Sequence, residues 1–106
     1  MLDARDAAIS HRDIAAYSSL IDPRYRDRGN TKVDMVARMI GLFDRFDRME
    51  MRSFNRTIRL VDDNHAQCIQ SYKLRVHADD RWREMTSRED LELTRTPAGW
   101  KISGGL

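Results

Sequence analysis

Apolar and polar residues alternate most regularly near the end of the chain. Glu89-Asp90-Leu91-Glu92-Leu93-Thr94 and Trp100-Lys101-Ile102 place apolar side chains at every second position, the period of a strand with one covered face. Thr96-Pro97-Ala98-Gly99 lies between them, and its Pro and Gly suit a reversing backbone. The pattern predicts a terminal β-hairpin whose Leu91, Leu93, Trp100 and Ile102 need cover from the helices that precede it.

Upstream the period lengthens. Residues 3–9, rich in alanine, read as a short helix. Ser10 and Asp13 read as a capping box, at which a second helix starts or the first one continues; Ile14, Tyr17 and Ile21 share a stripe on it and Pro23 is the stop. Arg24–Arg28 reads as a short extended edge closed by Gly29-Asn30, with Tyr25 and Asp27 on one side and the arginines on the other. Thr31 with Asp34 predicts the start of a long helix. That helix carries two apolar rows, Val33, Val36, Ala37, Ile40 and Phe43 beside Met35, Met39, Leu42 and Phe46. A stripe so wide predicts burial over more than half the girth.

From about Glu50 three long strands follow, over 51–61, 66–77 and 82–95. Straight, such runs would reach roughly 40 Å, more than a small core can use, so they must bend. In the second strand Ala66, Cys68, Gln70, Tyr72, Leu74 and Val76 share the inner face; in the third Met85, Ser87, Glu89, Leu91 and Leu93 do. The first strand does not fix its own register, which predicts a bulge. The expected fold is α+β: N-terminal helices packed in a strongly curved, mainly antiparallel β-sheet, a cone-shaped roll forming a single domain over residues 1–106.

Composition narrows the partners. Charged residues are 34% and apolar ones 41% of the 106 residues, too apolar and too patterned for disorder. Arginines dominate the basic side chains, yet the net charge is only +2 and acids interrupt nearly every basic run, so nucleic acid is not an expected partner. Cys68 is alone, excluding an intramolecular disulfide and reading as a small buried hydrophobe. No apolar run approaches the length of a membrane span, and the start lacks a signal pattern. The expected location is the cytoplasm, with a signal peptide already removed as the alternative.

Polar groups at mid-strand on the inner faces, Gln70 and Tyr72 opposite Ser87 and Glu89, imply either a closed hydrogen-bond network or a solvated cavity. Tyr17, Tyr25 and Asp27 would complete a rim, giving ligand-binding candidates Tyr17, Tyr25, Asp27, Gln70, Tyr72 and Glu89. Asp27 and Glu89 are the candidate catalytic carboxylates, able to split their pKa values if they meet. A plain salt bridge from Glu89 to a nearby Arg at the sheet edge is the competing reading. His11, His65 and His77 lack ligand spacing, and no phosphate loop or nucleophile elbow occurs, so neither metal nor cofactor is expected.

Arg12-Asp13-Ile14, Asp22-Pro23-Arg24-Tyr25 and the terminal Gly99-Trp100-Lys101-Ile102 resemble a nuclear transport factor 2-like domain of the small bacterial SnoaL-like type. The resemblance covers nearly the whole chain and implies a cone whose sheet wraps the long helix, leaves an opening and often dimerises through its outer face. Family members include ketosteroid isomerases, polyketide cyclases, epoxide hydrolases, dehydratases and non-enzymatic domains, so fold fixes little of the function. The isomerase pattern has a helix Tyr and an Asp base where Tyr17 and Asp27 broadly fall, but Glu89 matches no motif, and no catalytic assignment carries over. The leading expectation is a small-molecule-binding domain taking a hydrophobic or amphipathic ligand and forming a homodimer through the outer sheet face. The alternatives are an isomerase, cyclase or hydrolase using a pocket carboxylate as general base, and a non-catalytic interaction or dimerisation module.

Overall fold

A computed structural model describes all residues, Met1–Leu106. Helices α1 (Leu2–Ser10) and α2 (Ile14–Ser19) lead into the two-residue strands β1 (Arg26–Asp27) and β2 (Asn30–Thr31), then α3 (Lys32–Arg45) and the strands β3 (Arg48–Asp62), β4 (His65–Ala78), β5 (Arg81–Thr96) and β6 (Gly99–Gly104). The last four form an antiparallel sheet in the order β3-β4-β5-β6. No helix is long and apolar enough to cross a membrane.

Local chemistry explains most boundaries. Thr31 and Asp34 form the expected capping box on α3, with the Thr31 amide donating to Asp34 at 2.9 Å. The expected box at Ser10 is not formed. Asp13 caps α2 by accepting from the Ala16 amide at 3.0 Å, while Ser10 still belongs to α1 and turns its hydroxyl to β3. A helix that has not yet ended leaves Ser10 no free N-terminal amide to cap. Arg28 and Gly29, both at positive φ, make the two-residue turn between β1 and β2, as a tight hairpin requires.

The anticipated bulge in β3 lies between Phe54 and Thr57, where Asn55 takes a φ of 53°; a second irregularity follows between Leu60 and Asp62. Beyond it, β4 and β5 pair without interruption from Ala78↔Arg81 to His65↔Thr94. Leu91 and Ile102 are fully buried on the inner face. They share one core with Leu2 and Ile9 of α1, Tyr17 of α2 and Ile21, and the segment after α2 extends the sheet beside β6 as a short parallel bridge: Ile21 pairs with Ile102, and the Asp22 amide donates to the Ile102 carbonyl at 2.9 Å. Burying side chains of this size contributes about 1.5–3 kcal/mol each.

α3 is less buried than its sequence implies. Met35 and Phe43 are buried, but Val33 is 75% and Ile40 44% exposed. The reason is that α1 packs beside β3 and α3 stands off the sheet, so a narrower face turns inward, Met35, Met39 and Leu42 of one row with Val36 and Phe43 of the other. Arg12 ties the α1–α2 junction to the end of α3 by donating to the carbonyls of Phe43 and Asp47, a favourable place for a cation.

Candidate ligand-binding cleft

Because α3 stands away from the sheet, a cleft of about 640 Å³ opens between them. Its apolar wall comes from Ile9 of α1, Met35, Met39 and Leu42 of α3, and Met51 and Leu74 of β3 and β4. The methionines suit such a wall, since their flexible thioethers adapt to irregular shapes. Tyr17, Asp27, Tyr72 and Glu89 also line the cleft, whereas Tyr25 and Gln70 are buried behind it.

Glu89 meets a partner from the other end of the chain. Arg5 of α1, only 2% exposed, donates from both terminal nitrogens to the two Glu89 oxygens at 2.9 and 2.7 Å. The Gln70 amide adds a third bond to Glu89 at 3.3 Å, and Gln70 in turn accepts from Arg56 at 2.8 Å. Burial works against the Arg5 charge, but the Glu89 carboxylate outweighs it and holds the guanidinium above its usual pKa. Gln70 and Glu89 of the polar mid-strand cluster are thus joined in a hydrogen-bonded network forming one wall of a cavity, while Tyr72 lines the cleft outside that network.

The helix that supplies Arg5 also stoppers the edge of β3. Asp6 accepts from the Ser53 amide at 2.9 Å and Ser10 from the Met51 amide at 3.0 Å. Three buried polar atoms beside this contact, Arg5 Nε, Asp6 Oδ1 and Ser53 Oγ, make no hydrogen bond. Arg5 Nε and Asp6 Oδ1 are 3.3 Å apart, close enough to attract but misaligned for a hydrogen bond.

Tyr17 and Asp27 have different surroundings. The Tyr17 hydroxyl has no hydrogen-bond partner in the chain, and burial pushes its pKa up to about 12, so it faces the cleft as a neutral donor. Asp27 Oδ2 accepts from the Gly105 amide at 3.0 Å, and the Tyr25 hydroxyl accepts from the Leu106 amide at 3.1 Å. The C-terminal residues therefore lie across the cleft's rim. A more polar cleft of about 740 Å³, bordered by Arg24, Arg26 and His65, shares Asp27 and Gly105 with the first. No group of three or more His, Cys, Asp or Glu side chains converges on a point.

Arg5 and Arg56 were not among the residues singled out from sequence. A signal for Arg5 exists: Leu2, Arg5 and Ile9 fall at i, i+3 and i+7, placing the guanidinium on the buried stripe of α1. Arg56 offers none, because it lies within the bulge, where strand alternation no longer decides which face a side chain joins.

No protein-family model and no curated protein matches the sequence. Solved structures do match it. A nuclear transport factor 2-like superfamily protein from Salmonella enterica serovar Typhimurium superposes with a TM-score of 0.82 over 96% of this chain and 80% of its own, at 16% identity. A candidate dehydratase of the same family from Streptomyces avermitilis gives 0.83 over 98% and 87%, at 13% identity. A candidate aromatic ring hydroxylase from Novosphingobium aromaticivorans gives 0.84 over 99% and 87%, at 16% identity. Sequence identity this low leaves a likeness of fold: the chain has the nuclear transport factor 2-like architecture.

Proposed function

We propose that this chain, a domain of nuclear transport factor 2-like fold, binds a small hydrophobic or amphipathic molecule in the cleft between α3 and the sheet. The observation that carries the reading is the Tyr17 hydroxyl, unpaired within the chain and facing a cleft walled by methionine and leucine. An apolar body set against that wall, with one acceptor reaching Tyr17, matches what the cleft offers. Arg38 borders the same cleft and makes no ion pair within the chain, so an anionic group on the ligand would be tolerated at the mouth. Glu89 serves in this reading to hold the wall, since both its oxygens are engaged by Arg5.

The test uses 8-anilinonaphthalene-1-sulfonate, an apolar fluorophore bearing one anion. Saturable one-to-one binding to the folded protein, weakened about tenfold or more by Met39→Glu with the melting temperature retained, is the expected result. Absence of saturable binding, or binding indifferent to Met39→Glu, overturns it.

A second reading rests on a different observation. Asp27 Oδ1 accepts no hydrogen bond within the chain although Oδ2 does, which leaves one oxygen able to take a proton from a bound substrate, with Tyr17 as the donor opposite. An isomerase, cyclase or hydrolase of this kind would lose turnover in Asp27→Asn while keeping its affinity for substrate.

A further inference from the structure

β5 is longer than its neighbour on one side. β6 pairs with it only from Glu92 to Thr96, after which Gly105 passes over the Asp90 carbonyl and the chain turns to Asp27 and Tyr25. From Trp82 to Arg88 the far side of β5 has no partner strand. Alternate residues of a strand direct their backbone groups to opposite neighbours. The Arg95 amide donates to Asn64, on the β4 side, and Thr96 pairs with Gly99 across the hairpin. With no register shift between β4 and β5, Trp82, Glu84, Thr86 and Arg88 must therefore aim their amides and carbonyls at the bare edge.

We infer that this edge pairs with the same edge of a second copy, antiparallel, about a two-fold axis at Thr86. Hydrogen-bonded pairs there must join even-numbered residues, which restricts the register to two-residue steps. Centred on Thr86, Glu84, which lies 3.5 Å from Lys73 and 3.8 Å from Arg75 of its own β4, also meets the partner's Arg88 on the outer face, and Arg88 meets the partner's Glu84. The alternatives are poorer. A shift one way sets Glu84 against the partner's Asp90, two like charges, and a shift the other way leaves Glu84 facing the partner's Thr86 and Arg88 the partner's Trp82. The Thr86 register supplies about six ladder hydrogen bonds and two cross-strand ion pairs, and the interface is isologous. β3 cannot do the same: α1 occupies the edge of its longer regular run, Arg48 to Phe54, at Met51 and Ser53, and the irregularities beyond leave only the short run from Thr57 to Leu60. Arg88 also lines the ligand cleft, so the partner's Glu84 would sit at that mouth.

Thr86→Cys is the direct test, with Cys68 replaced by Ser as background. Opposed residues of a hydrogen-bonded pair lie about 5.5 Å apart at Cα, within disulfide reach. Rapid oxidation of Thr86→Cys to a covalent dimer, with Met85→Cys and Ser87→Cys remaining monomeric, is expected. In sedimentation Glu84→Arg should weaken the dimer about tenfold, and Glu84→Arg with Arg88→Glu should restore it. A protein that sediments as a monomer at its solubility limit overturns the inference. So does a dimer that neither cross-links through position 86 nor responds to Glu84→Arg, which would point to contact through the outer sheet face.

Discussion

Arg5 and Glu89, 84 positions apart in sequence, form a two-pronged ion pair that fastens α1 to the middle of β5. Arg5 lies almost wholly out of water, so neither charge can be rehydrated without moving the helix.

Removing one member of the pair should cost more than removing both. Arg5→Met leaves Glu89 largely buried and unpaired, and a loss of about 3–5 kcal/mol is expected. Arg5→Met with Glu89→Leu should recover much of it, because an apolar pair of similar bulk needs no hydration. Urea denaturation of the singles and the double checks this; a double as unstable as the sum of the singles would refute it.

Tyr17 predicts a loss of stability in alkali. Its pKa is about 12 in the folded protein and near 10 when unfolded. A raised folded pKa contributes stability that is complete below pH 10 and is lost as the pH climbs towards 12. Burial pushes Tyr25 in the same direction, so it adds to the effect. Tyr17→Phe should flatten the fall by on the order of 2 kcal/mol, read from denaturation midpoints across that range.

Gly105 predicts a sharp response to a single methyl group. Its φ is 91° and an added Cβ would overlap the Asp90 carbonyl oxygen. Gly105→Ala should release the C-terminal residues from Asp27 and Tyr25 at a cost of about 1–3 kcal/mol. Faster hydrogen exchange at the amides of residues 105 and 106, with the β4–β5 amides still protected, is the expected signature.

Asp6 is the more costly of the two residues that stopper β3. Asp6→Ala removes the acceptor for the Ser53 amide and a negative charge beside Arg5; Ser10→Ala removes one acceptor near the helix end. Losses of about 2–3 kcal/mol and about 1 kcal/mol are expected. Equal effects from the two substitutions would show that the Asp6 charge is immaterial to Arg5.

Strand periodicity read well from sequence because each inner face is a strict alternation, as in Ala66, Cys68 and Gln70. The faces of Tyr25 and Asp27 against Arg24, Arg26 and Arg28 followed from the same rule, and Tyr25 is buried while the three arginines are exposed. The rows of α3 were visible, but how much of each is covered was not, because that depends on α1 taking the place beside β3 first. Gln70 and Glu89 stood out as polar residues at buried positions. The partner that completes their network lies on another helix, and no local spacing joins Arg5 to a strand so distant in the chain. The hold of Gly105 and Leu106 on Asp27 and Tyr25 was equally hidden, since it runs through backbone amides that carry no residue-specific mark.

The helical stopper on β3 also limits how far copies of this sheet can associate. A fibril needs two open sides on every subunit so that each arrival presents a fresh template. Here α1 must first be unseated, by breaking Arg5 from Glu89 and Asp6 from Ser53, before β3 offers a long regular side. If β5 pairs with a second copy as inferred above, variants that loosen α1 should let pairs grow into polymers, and turbidity on standing should increase as Arg5 is lost.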